Sequence, residues 1–101
     1  MIVCSVKKNE SLYEINIKGH SGYDTIGKDI VCSSVSSSMI LTINLLEKLN
    51  SKFEFNSDEN IPMMNVKIEN YKDIEEKILD NLVECLESVS SQYHKYLKIN
   101  K

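Results

Sequence analysis

The 101 residues are enough for one hydrophobic core and too few for two. With 42% apolar and 27% charged residues, the chain is unlike a disordered tail, a collagen-like repeat or a coiled-coil rod. Twelve basic against fifteen acidic residues leave a formal net charge of −3, a poor balance for gripping phosphates, so no direct nucleic-acid binding is expected.

Two adjacent apolar runs, Ile2-Val3-Cys4 and Val6, open the chain, and Lys7-Lys8 follows them rather than precedes them, the reverse of a secretory signal. The longest nearly uncharged stretch, Ile30 to Leu46, carries five serines, a threonine and an asparagine. It reads as a buried helix rather than a membrane span. A cytoplasmic protein with no membrane partner is therefore expected. Three cysteines at irregular spacing, with no CxxC pair, do not make a disulfide framework.

In chain order, Ile2, Cys4 and Val6 alternate with less apolar residues, Asn9-Glu10-Ser11 supplies a turn, and Leu12 to Ile17 alternates again, which predicts an antiparallel hairpin. All three glycines, Gly19, Gly22 and Gly27, fall within the next ten residues and mark a loop. Asp29 is placed to cap a helix whose apolar stripe is Val31, Val35, Met39, Thr42, Leu46 and Leu49, ending near Asn50. Lys52 to Phe55 is a short strand candidate, 56–60 a polar turn, and Met63 to Ile68 a strand after the lone proline, Pro62. From Asp73 a second helix is predicted with the stripe Ile74, Ile78, Leu82, Cys85, Leu86 and Val89, and Tyr96, Leu97 and Ile99 suggest a last strand. The order ββαββαβ predicts an α+β two-layer sandwich, two helices packed on a small, mostly antiparallel sheet, as one domain over residues 1–101.

One pair of residues stands out chemically. With Asp29 as cap, Cys32 is the third residue of the first helix, among backbone N–H groups that favour negative charge. A free thiol with a pKa of about 8.5 is only about 3% ionised at pH 7. A helix end supplies about 0.3–1 kcal/mol, less than the roughly 1.4 kcal/mol that moves a pKa by one unit, so a partner base is needed. His20, at the end of the second strand, is twelve residues away across the glycine loop, which can fold back to bring the two together. Read from spacing alone, the pair competes with an ordinary packing cysteine and a surface histidine. Cys4 and Cys85 read as packing residues on their apolar faces, and His94 has no cysteine near it in sequence. No zinc-ligand spacing is present, and neither a metal nor a cofactor is expected. The acidic residues Glu69, Asp73, Glu75, Glu76, Asp80, Glu84 and Glu87 are expected mostly on the solvent side of the second helix.

The run from Gly19-His20 through Asp29-Ile30-Val31-Cys32 to Val35-Ser36 resembles the signature of the ribosomal-processing cysteine protease family, Prp. Many members have alanine after the histidine and an Ala-Ala pair after the cysteine, where this chain has Ser21 and Ser33-Ser34. The resemblance implies a cytoplasmic, homodimeric thiol endopeptidase that removes the N-terminal extension of large-subunit ribosomal protein number twenty-seven. It maps the nucleophile onto Cys32 and the general base and acid onto His20. Asp29 lies in the shared run and either orients His20 or caps the helix. The expected chemistry is proton transfer from Cys32 to His20, thiolate attack and an acyl-enzyme, with first-turn N–H groups, that of Cys32 included, as oxyanion donors. The loop from Ser21 to Lys28 is a candidate lid, with Gly22 and Gly27 as hinges and Tyr23 as a substrate contact. Two other readings compete: a non-catalytic ribosome-assembly or peptide-binding module on the same fold, and redox sensing by Cys32.

Overall fold

The structure, a computed structural model, describes residues 1–20, 22–24, 29–58 and 60–101. Its elements are β1 (Ile2–Lys8), β2 (Leu12–Lys18), α1 (Ile30–Lys48), β3 (Glu54–Asp58), β4 (Met63–Glu69), α2 (Asp73–Gln92) and β5 (Leu97–Asn100). The β1–β2 turn is held by one side chain: Asn9 Oδ1 accepts the N–H groups of Ser11 and Leu12, each at 2.9 Å, an asparagine doing the work of a backbone turn. The five strands form one sheet in the order β3-β4-β2-β1-β5, antiparallel throughout except for the parallel pair β1–β5. This is the two-layer α+β arrangement that the element order predicts.

Pairing places Cys4, Ile17, Met64 and Ser57 in one row across four strands, and Val6, Ile15, Val66 and Phe55 in the next. Residues in such rows share a sheet face. On that face Ile2, Cys4, Tyr13, Ile15, Ile17, Val66, Ile68 and Leu97 are buried against Val31, Val35, Met39, Ile43 and Leu46 of α1 and Leu79, Leu82, Val83 and Leu86 of α2. At roughly 1.5–3 kcal/mol for each fully buried aliphatic side chain, this shared core is the main stabiliser of both layers.

The 19 residues of α1 are long and apolar enough to cross a membrane by length and composition, contrary to the expectation that its hydroxyls make it too polar. In this fold it is a core helix, because its buried stripe joins the core shared with the sheet. Its hydroxyls are satisfied along the helix: Ser34 donates to Ile30 O, Ser38 to Ser34 O and Thr42 to Ser38 O, at 2.7, 2.7 and 2.8 Å. Past the end of α1, Asn50 takes φ +55°, and the N–H of Ser51 returns to Leu46 O at 3.0 Å.

Three sequence expectations are corrected. The third strand is not Lys52 to Phe55 but Glu54–Asp58, so Asn56, Ser57 and Asp58 are strand rather than turn. On α2 the buried face is Glu75, Leu79, Leu82, Val83 and Leu86, while Ile74 and Cys85 are exposed. Cys85 therefore does not pack in the core; its sulfur lies 3.5 Å from Ser38 Oγ on α1. Leu49, expected on the α1 stripe, is exposed at the helix cap, and Ile43 takes its place in the core. Among the acidic residues of α2, Glu75 is buried because its carboxylate accepts the Lys72 N–H at 2.8 Å at the helix start.

Candidate active site

A cleft of about 360 Å³ lies at the end of the sheet where β2 ends and α1 begins. Its floor is built by Ile2, Ile17 and Met64, its wall by Cys32, Val35 and Ser36 of α1, and its rim by Gly19, His20, Ser57, Asp58, Pro62 and Met63. Cys32 and His20 thus line one cavity, as the loop between them allows, with the thiol half-buried and the imidazole exposed.

Each is positioned by an identifiable local device. The chain leaves β2 at Gly19 with φ +104°, and the Gly19 N–H is bound to Pro62 O at 2.9 Å. A β-carbon here would stand 2.5 Å from the backbone oxygen of Met1, so only glycine permits the turn that sends His20 to the cleft. Cys32 is held by the cap of α1. Asp29, 7% exposed, accepts the N–H groups of Val31 and Cys32 on one carboxylate oxygen, each at 3.0 Å, and its own carbonyl accepts Ser33 N–H at 3.1 Å.

Of the two roles open to Asp29, the structure displays capping. The same cap bears on the expected oxyanion donors. The Cys32 N–H already donates to a carboxylate, and it can serve an oxyanion only if that bond opens. The sequence shows the cap but not that its charge consumes the donors nearest the sulfur.

Tyr23, expected as a substrate contact, belongs to an aromatic cluster. Its ring meets Tyr93 and Tyr96 edge-on, with centroids 5.4 and 5.1 Å away, at the junction of α2 and β5. The sequence pattern does not reveal that aromatic cluster, although it places tyrosines at 93 and 96, three residues apart. Gly22 has φ +70°, a left-handed conformation that favours glycine, with open space where a β-carbon would stand. Ser21, Gly27 and Lys28, the remaining named parts of the expected lid, lie outside the described residues.

The other cysteines are placed in contrasting surroundings. Cys4 is fully buried, and desolvation, with a smaller push from the Glu87 charge, raises its pKa to about 11, the opposite of what a nucleophile needs. A larger cleft, about 540 Å³, lies at the far end of β1 against α2. It holds an ionic cluster without a nucleophile: Tyr13 donates to Asp80 at 2.6 Å, and Lys8 bridges Asp80 and Glu76 at 3.2 and 2.9 Å. Among the described residues no group of three or more His, Cys, Asp or Glu side chains is arranged to hold a metal ion.

A half-buried thiol at a helix start, sharing a cleft with one imidazole, defines the chemical class of a thiol hydrolase. The family model described as Cysteine protease Prp matches residues 1–98, and the chain belongs to that family and is a cysteine protease. Solved structures share the fold. The S. aureus ribosomal processing protease Prp with a covalently linked product peptide superposes with a TM-score of 0.91 at 21% identity, over 99% of this chain and 98% of that one. The same S. aureus protease with a substrate peptide gives 0.81 at 19% identity, with the same coverages. A Streptococcus mutans protein gives 0.77 at 16% identity, over 99% and 92% of the two chains. No curated protein matches the sequence.

Proposed function

We propose that this cysteine protease is a cytoplasmic, homodimeric endopeptidase of ribosome maturation, and that it removes the N-terminal extension of large-subunit ribosomal protein number twenty-seven. The observation that carries the reading is the shared cleft of Cys32 and His20 in a chain matched by the Prp family over residues 1–98. The S. aureus relatives, described as ribosomal processing proteases and holding peptide, support the substrate class.

In this reading His20 accepts the Cys32 proton, and the thiolate attacks the scissile carbonyl to form a tetrahedral adduct. Collapse of the adduct expels the new amine as His20 returns the proton to it, leaving a thioester. Water, deprotonated by His20, then attacks the thioester and frees the acid and the thiol. The half-buried sulfur suits this role, because substrate binding completes its desolvation while the exposed imidazole remains open to exchange protons.

The test is incubation with a peptide spanning the extension of the host's own ribosomal protein, with products read by mass. Cleavage at one bond, abolished by Cys32→Ala and by His20→Ala, is expected. No cleavage, or cleavage that survives Cys32→Ala, contradicts the proposal; tight binding without product identifies the non-catalytic peptide-binding alternative.

A further inference from the structure

We propose that the substrate docks as a sixth strand on the free edge of β3, so that this protease reads the extended backbone of its substrate on one side of the scissile bond. The inference rests on the endopeptidase reading above. The sheet has two terminal strands, β3 and β5. Only β3 contributes to the cysteine cleft: Ser57 and Asp58 line it together with His20 and Cys32, whereas no residue of β5 does. Ser57 stands in the same cross-strand row as Met64 and Ile17, which floor the cleft, so the outer edge of β3 leads without interruption to the site.

An edge strand presents alternate N–H and C=O groups outward, a template for another chain. Natural edges that must repel partners are very short or carry charges, lysine above all, proline or a bulge. β3, Glu54-Phe55-Asn56-Ser57-Asp58, has no lysine, proline or bulge, carries its two carboxylates only at its ends, and pairs regularly with β4 along all five residues. Five residues at about 3.3 Å each offer roughly 17 Å of edge, enough to seat about five residues of an extended peptide. The side chains nearest the cleft are short and polar, and they leave the backbone accessible: Asn56, Ser57 and Asp58 are all exposed. The arrangement explains how a small site with few charged contacts orients a flexible peptide end. Main-chain pairing fixes the register, and the cleft then receives one side chain beside the sulfur.

The probe is the synthetic extension peptide of the host ribosomal protein, N-methylated at one position at a time. Each methyl removes one backbone donor and leaves the side chain in place. Strand addition predicts period-two sensitivity: alternate positions on one side of the scissile bond lose tenfold or more in kcat/KM, and the intervening positions stay within twofold. Uniform tolerance, or loss confined to the residues flanking the cleaved bond, overturns the inference while leaving the endopeptidase reading intact. Failure of the unmethylated peptide to be cleaved defeats that reading instead.

Two protein variants place the pairing on β3. Asn56 and Ser57 are adjacent, so one of them directs its N–H outward and the other toward β4. Of Asn56→Pro and Ser57→Pro, the one that removes the outward donor is expected to fold and to raise KM at least fivefold with kcat unchanged. A folded outward-donor variant with unchanged KM refutes docking on this edge, and the methylation scan decides the question if neither variant folds.

Discussion

Replacement of Asp29 tests the device that sets the cysteine at its place in the helix. Its carboxylate is buried and accepts two N–H groups at 3.0 Å, so Asp29→Ala leaves both donors in a poorly hydrated corner. Loss of an N-cap costs about 0.5–2 kcal/mol, and burial with two bonds places this one at the upper half, about 1–2 kcal/mol. For a chain of this size each kcal/mol lowers Tm by roughly 4–8 °C, so the midpoint is expected to fall by about 4–16 °C. Asparagine is as good a cap as aspartate, so Asp29→Asn is expected to stay within about 0.5 kcal/mol of the parent. Thermal and urea unfolding followed by circular dichroism measure both. A neutral Asp29→Ala, or an Asp29→Asn as damaging as Asp29→Ala, refutes the assignment of a geometric cap.

Three further outcomes follow from other parts of the structure. Gly19→Ala meets the Met1 carbonyl at 2.5 Å in a φ +104° conformation, and the combined strain of about 3 kcal/mol or more is expected to displace the His20 segment and lower both stability and peptide cleavage; a stable, fully active variant contradicts the role given to that turn. Tyr13→Phe removes a 2.6 Å bond to a carboxylate and is expected to cost about 1.5–3 kcal/mol in urea unfolding, although the site lies at the far end of β1 from the cysteine, so kcat/KM is expected to hold. Cys4, raised from 9.0 to about 11 by burial, stays protonated in the fold while the unfolded chain ionises near pH 9, so stability is intact below pH 9 and falls as pH rises toward 11. Two pH units correspond to at most about 2.7 kcal/mol. The loss between pH 9 and 10 is expected to shrink in Cys4→Ala, and an unchanged slope there argues against Cys4 as its source.

Much of this architecture is legible because period-two and helical patterns are strong where one face meets the core. β1, β2 and β4 alternate between a buried row and a polar one, and Asp29 announces the start of α1. The errors fall where burial is one-sided or incomplete. For β3 the pattern points too early in the chain, because Phe53 and Phe55 look like strand centres, whereas pairing with β4 extends through the polar residues Asn56 to Asp58 on an open edge. On α2 the predicted stripe meets the core at Leu82 and Leu86, and in part at Ile78 and Val89, but it takes in the exposed Ile74 and Cys85 and misses Leu79 and Val83. Ile78 and Cys85 flank Leu79 and Leu86, and a chain read without its neighbour cannot show which side of that seam faces the sheet.

The site follows the same logic. Gly-His and Asp-Ile-Val-Cys are local signals, and both arms reach one cleft. What remained hidden depends on contacts distant in sequence. Tyr23 finds its partners some seventy residues on, and the exposed Cys85 has Ser38 of α1 beside it, forty-seven residues back in the chain. The Asp29 bond to the Cys32 N–H depends on the angle at which the cap meets the first turn, which residue identity does not specify.

In the proposed mechanism Cys32, rather than either other thiol, attacks the substrate with His20 as its base. The most direct measurement is labelling by a chloromethyl ketone derivative of the ribosomal extension peptide, followed by intact-mass and fragment analysis. A single adduct at Cys32, slowed at least a hundredfold in His20→Ala and accompanied by complete loss of cleavage, is the predicted result. Preferential labelling of the exposed Cys85, or cleavage that persists when Cys32 is fully modified, would contradict it.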